Sequence, residues 1–143
     1  MICTNGRLNA SAAETYDLAR MARARLVSIV DDDDSLRMPL ASLIRSAGFQ
    51  VLSFASAEAF LTSTQARDSA CLILDVRMAG MNGLELQRLM IATNWRVPII
   101  FVTSHVDDDA QARAFEAGAV GFLYKPFRDD DLLNALEAAL GSS

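Results

Sequence analysis

Five short apolar runs, each followed by a stretch with helical spacing, leave this chain very few folds to choose from. Strict alternation of this kind predicts one parallel sheet with helices on both faces. The central run is Cys71-Leu72-Ile73-Leu74-Asp75. Its three consecutive large apolar residues read as a strand buried on both faces. The run stops on a carboxylate, and residues 77–83 make a loop behind it. Open α/β sheets keep their chemistry at the carboxyl ends of their strands. Asp75 is therefore the candidate reacting group.

The other runs follow the same rhythm. Residues 26–30 form the first strand, which closes on Asp31-Asp32-Asp33-Asp34. The helix expected over 35–47 puts Leu36, Leu40, Leu43, Ile44 and Ala47 on one face, with Gly48 as its stop. Pro39 sits awkwardly in it and is tolerable only in or near the first turn. Asp33 and Asp34 read as negative charge at that helix's N-terminus. Residues 49–54 are a second strand, Ser56 caps a short helix to Leu61, and 62–69 is polar loop. A third helix runs over 83–91, followed by a loop over 94–97 whose Trp95 receives no role. Pro98 opens a fourth strand, 99–102, which ends at Thr103-Ser104. A helix over 107–117 stops at Gly118. Residues 120–124 are the fifth strand, ending at Lys125-Pro126, and 129–140 is the fifth helix.

Parallel strands present their carboxyl ends at one edge. That edge collects Asp31, Asp32, Asp75, Thr103 and Lys125. Three acids packed together repel one another unless a cation joins them. Oxygen ligands select a hard ion, and Mg²⁺ is the usual one where phosphate is the substrate. A carboxylate can itself be the nucleophile and form an aspartyl phosphate. Mg²⁺, Lys125 and the Thr103 hydroxyl supply the contacts that phosphoryl oxygens need. The residues alone thus lead to Mg²⁺-dependent phosphorylation of an aspartate. Mn²⁺ is separately expected to be able to substitute for Mg²⁺.

Composition narrows the surroundings. The net charge of −5 argues against nucleic-acid binding by this segment. No apolar run is long enough to span a membrane. Cys3 and Cys71 lie far apart with no CxxC pairing, which fits a reduced, cytoplasmic setting better than a disulfide scaffold. Residues 1–24 read as an Ala-rich leader, loosely ordered or forming a short helix, and 25–143 as one domain.

From Leu26 to Leu140 the chain resembles the receiver domain of two-component response regulators. The resemblance rests on Ile29-Val30-Asp31-Asp32, on Leu74-Asp75-Val76-Arg77-Met78 with Gly80-Met81-Asn82-Gly83, and on Phe101-Val102-Thr103-Ser104. Ala117-Gly118-Ala119 and Lys125-Pro126-Phe127 complete it. The detail is closest to the nitrogen-fixation-regulator, LuxR-type subgroup, whose members usually carry a helix-turn-helix output domain.

The resemblance implies a flavodoxin-like (βα)5 three-layer sandwich with a five-stranded doubly wound sheet. It implies that Asp75 accepts a phosphoryl group from a histidine kinase or phosphotransfer protein. Asp32, Asp75 and the Arg77 backbone carbonyl would bind Mg²⁺ directly, and Asp31 through water. Lys125 would pair with Asp75 and then with the phosphate. Thr103 would move to bond a phosphoryl oxygen, and Phe122 would swing inward with it. Arg77 and His105 occupy positions that tune hydrolysis of the acyl phosphate. Lys125-Pro126 is expected to be cis. One departure stands out: Ala79 occupies a position usually held by proline, which puts the rigidity of its loop in question.

The function implied is a phosphoacceptor switch rather than an enzyme. Phosphorylation would alter the fourth-helix/fifth-strand face for homodimerisation or for control of an output domain. A single-domain regulator acting through protein contacts is an alternative. A haloacid-dehalogenase-like phosphatase, with Asp31 as nucleophile and Asp33 as acid, is a weaker one, since it leaves Asp75 idle.

Overall fold

The computed structural model describes residues 25–141. The expected leader over 1–24 lies outside the described residues. Five strands form one parallel sheet: β1 Leu26–Val30, β2 Gln50–Phe54, β3 Cys71–Asp75, β4 Ile99–Thr103 and β5 Gly121–Tyr124. Five helices alternate with them: α1 Asp34–Ser46, α2 Ala57–Thr62, α3 Gly83–Ala92, α4 Asp108–Glu116 and α5 Asp129–Leu140. The strand order is β2-β1-β3-β4-β5. The flavodoxin-like doubly wound architecture follows from this order, and the direction of winding reverses between β1 and β3.

Side-chain alternation along the strands builds two cores. Leu72 and Leu74 point to one face, where they meet Phe60 of α2, Leu86 and Met90 of α3, and Ala110 and Ala114 of α4. Cys71 and Ile73 point to the other, against Leu40 and Ile44 of α1 and Leu132 and Leu136 of α5. Every residue of β3 and β4 is buried, as a strand covered on both faces must be. Burial pushes the Cys71 thiol up to about 12, so it packs as an inert apolar group.

The helix starts follow the local chemistry. Asp33 caps α1 by accepting from the Ser35 N–H at 3.0 Å, and Ser56 caps α2 by accepting from Ala59 at 3.0 Å. Asn82 and Glu85 form a reciprocal capping box at α3. Asp107 caps α4 through the Ala110 N–H at 3.0 Å.

Three expectations need correction. Residues 62–69 are not all loop: Gln65–Asp68 form a 3₁₀ turn whose Ala66 is fully buried. Pro39 lies inside α1, beyond its first turn. Pro39 and Ser35, the residue whose carbonyl loses its helical partner, are both exposed, so water can take the missing donor's place. Trp95, given no role, is a core residue only 8% exposed. Its ring stacks on Phe60 with centroids 4.8 Å apart, and the Arg67 guanidinium sits 4.5 Å from its centroid.

Candidate functional site

The strand register brings the acids together. Val30 of β1 pairs with Leu74 of β3, so the next residues, Asp31 and Asp75, stand side by side where the strands end. One oxygen from each of Asp31, Asp32 and Asp75 lies within 4.8 Å of the others. Asp31 is fully buried, Asp75 is 5% exposed and Asp32 is exposed. The cluster sits at the switch point of the sheet, where doubly wound folds bind ligands.

Lys125 reaches the cluster from the end of β5. Its Nζ lies 2.8 Å from Asp31 Oδ2 and 3.5 Å from Asp75 Oδ2. The expected pairing with Asp75 exists, but the tighter bond goes to Asp31. The Lys125-Pro126 peptide is cis. Backbone donors hold the remaining oxygens: the Asp33 N–H reaches Asp31 Oδ1 at 3.0 Å, and the Arg77 N–H reaches Asp75 Oδ1 at 3.2 Å. Arg37 donates to the Asp31 backbone carbonyl at 2.6 Å and also pairs with Asp34.

Thr103 is buried at the end of β4, and its Oγ1 accepts the His105 N–H at 3.2 Å. The His105 side chain is exposed. Phe122 is half-buried in β5 among Phe101, Phe115 and Tyr124, with centroids 6.0, 6.4 and 5.5 Å away. Tyr124 donates to Gln111 of α4 at 2.9 Å.

One ammonium among three carboxylates leaves the site short of positive charge. Burial, then the neighbouring Asp31 charge, pushes the Asp75 carboxyl up to about 7, against the opposing pull of Lys125 and the Arg77 N–H. The donor set is all carboxylate oxygen, which suits a hard divalent cation. Asp31, Asp32 and Asp75 thus fit Mg²⁺ by chemistry and by spacing.

Several contacts were not foreseen. Ala79, standing where proline is usual, uses its N–H to bond Asp32 Oδ2 at 3.2 Å. The residue type was the available signal, because only a non-proline has that donor. Glu58 of α2 accepts from the Met81 N–H at 3.1 Å. A carboxylate from each side therefore steadies the loop that the missing proline put in question. Gly83 is fixed by crowding: a Cβ there would lie 2.3 Å from the Asp75 carbonyl oxygen. Arg77 and Asp107 meet at 3.8 Å across the rim.

Residues 27–137 match the family model of the response regulator receiver domain. The chain belongs to the response regulator receiver family. Nodulation protein W of Bradyrhizobium diazoefficiens is 46% identical over 114 residues, covering 80% of this chain and 50% of that protein. The transcriptional regulatory protein FixJ of Azorhizobium caulinodans is 40% identical over 117 residues, covering 82% of this chain and 56% of that one. The solved response regulator StyR superposes with a TM-score of 0.75 at 45% identity, covering 81% of this chain and 59% of that one. The chain spans about half the length of the curated relatives it matches.

The receiver's geometry also bears on the phosphatase alternative. Asp31 is fully buried, with its carboxylate held by Lys125 and the Asp33 N–H. Asp75 is 5% exposed and has the looser 3.5 Å contact to Lys125, so of the two carboxylates it is the better presented. No helix among the described residues is long and apolar enough to cross a membrane.

Proposed function

We propose that this receiver takes a phosphoryl group onto Asp75 Oδ from a histidine kinase or phosphotransfer protein, in a reaction that needs Mg²⁺. The carrying observation is the position of Asp75 between a cationic Lys125 at 3.5 Å and two further carboxylates that complete a hard-cation site. When bound, Mg²⁺ would neutralise charge on the phosphoryl oxygens. Asp32 and Asp75, with the Arg77 carbonyl, would hold it directly, and Asp31 would hold it through water. Lys125 moves from its shared ion pairs toward the phosphoryl group. Thr103 gives up the His105 N–H and turns its hydroxyl to a phosphoryl oxygen. Phe122 then swings inward. No further catalysis is assigned to the domain.

The output follows the α4/β5 face. Val106, Phe115 and Val120 are exposed there at 79%, 44% and 51%, beside the aromatic group around Phe122. That apolar surface favours a phosphorylation-dependent homodimer or contact with an output domain, which in FixJ-like proteins is transcriptional. A cytoplasmic location suits such a partner set.

Treatment with acetyl phosphate tests the assignment. Intact mass should show one added phosphoryl group in the presence of Mg²⁺ and none after chelation or in Asp75→Asn. Equal labelling of Asp75→Asn would reject it.

A further inference from the structure

Asp107 has two jobs with one carboxylate. Its Oδ1 accepts the Ala110 N–H and so caps α4. Its Oδ2 lies 3.8 Å from an Arg77 guanidinium nitrogen. The cap bond fixes the side chain, and the second oxygen is thereby aimed at Arg77. The two residues come from different loops, Arg77 two residues past Asp75 and Asp107 four past Thr103. Their ion pair therefore bridges the two loops that flank the Asp75–Thr103 rim.

The Arg77 backbone is held the other way. Its N–H donates to Asp75 Oδ1 at 3.2 Å. Arg77 thus begins at the reacting carboxylate, while its side chain leads off sideways to Asp107. Both side chains are partly open to water, at 57% and 39% exposure, so the pair is weak enough to be exchanged. A guanidinium binds phosphoryl oxygens in a bidentate fork, and a phosphoryl group carries more charge than a single carboxylate. Once Asp75 is phosphorylated, two anions compete for one guanidinium.

We infer that Asp107 is a positioning residue that parks Arg77 away from the phosphoryl group on Asp75 and so keeps open the path of the hydrolytic water. This rests on the reading of Asp75 as phosphoacceptor. In hydrolysis, water attacks phosphorus opposite the bond to Asp75. That P–O bond breaks, inorganic phosphate leaves, and the Asp75 carboxylate returns with the water proton going to solvent. Arg77 released onto the phosphoryl oxygens covers the approach. Asp107 therefore shortens the life of the phosphorylated state without touching it.

Asp107→Asn separates the two jobs, because asparagine caps a helix as well as aspartate does but carries no charge. The phosphorylated lifetime, followed after removal of acetyl phosphate, should lengthen about twofold to fivefold, the size an exposed pair can carry. Arg77→Ala and Arg77→Ala/Asp107→Asn should have equal lifetimes. In unphosphorylated protein, the Arg77 Nε–Hε resonance should shift in Asp107→Asn. An unchanged lifetime in a normally labelled Asp107→Asn, or the same lengthening in the Arg77→Ala background, would overturn the inference. Failure of the wild type to label on Asp75 would remove the underlying reading, and the inference with it.

Discussion

The Lys125 ammonium lies 2.8 Å from the fully buried Asp31 carboxylate. Asp75 receives the same ammonium at 3.5 Å. One cation thus offsets two buried acids, with the shorter contact going to Asp31. The arrangement leaves Asp75 undercompensated and Lys125 close enough to change partners.

Replacing Lys125 by methionine should be strongly destabilising at pH 8 without metal. It leaves two adjacent buried carboxylates, and breaking a buried pair costs about 3–5 kcal/mol. Saturating Mg²⁺ should restore much of the loss, because cation binding to the folded state stabilises it. Thermal unfolding of both proteins with and without Mg²⁺ measures this. Equal melting temperatures for wild type and Lys125→Met without metal would contradict the ion-pair account.

The Asp75 carboxyl, pushed up to about 7, fixes a pH dependence. Its folded value exceeds the unfolded one, near 4. Between those values the folded protein binds more protons, so stability from this group falls as pH rises from about 4 to 7. Asp75→Asn removes the charge that is hard to bury. Without Mg²⁺ it should melt higher than wild type at pH 8, with the gap closing toward pH 4. A gap that grew on acidification would reverse the assigned sign.

Gly83→Ala should damage the site from its edge. The added Cβ would meet the Asp75 carbonyl oxygen at 2.3 Å and the Phe101 ring at 3.1 Å. The backbone of β3 has no room to yield, so the expected cost is about 1–3 kcal/mol. Mg²⁺ affinity should fall with it, since Asp75 must move. Isothermal titration and denaturant melts test both effects, and an unaltered variant would show the loop to be more tolerant than its packing indicates.

Trp95→Phe should cost far less than Trp95→Ala. Among the described residues, the Trp95 Nε1 is the one buried side-chain polar atom without a hydrogen-bond partner. Phenylalanine keeps the stack on Phe60 and discards the orphan donor, whose burial is itself unfavourable. Alanine removes the ring and leaves a cavity, at about 3–5 kcal/mol. Urea denaturation of the two variants gives the comparison.

Much of this was legible in the residues. The apolar runs fixed five strands because a strand buried on both faces needs nearly continuous hydrophobics, as Leu72-Ile73-Leu74 has. Asp31, Asp32, Asp75, Thr103 and Lys125 could be placed at one edge because parallel strands all end there. The contacts among them could not be ranked, since the choice of Lys125 between Asp31 and Asp75 depends on rotamers set by the whole rim. The bonds Ala79–Asp32 and Met81–Glu58 join residues 47 and 23 positions apart through backbone N–H groups, which every non-proline residue has. Trp95 was opaque for a different reason: a lone aromatic in a polar loop carries no periodicity to reveal burial.

Locating the acyl phosphate tests the central claim most directly. Borohydride reduces an aspartyl phosphate to homoserine, and peptide mapping then names the residue. After acetyl phosphate and Mg²⁺, homoserine should appear at position 75 alone. Homoserine at position 31 or 32, or at 75 to the same extent in the presence of a chelator, would contradict the account.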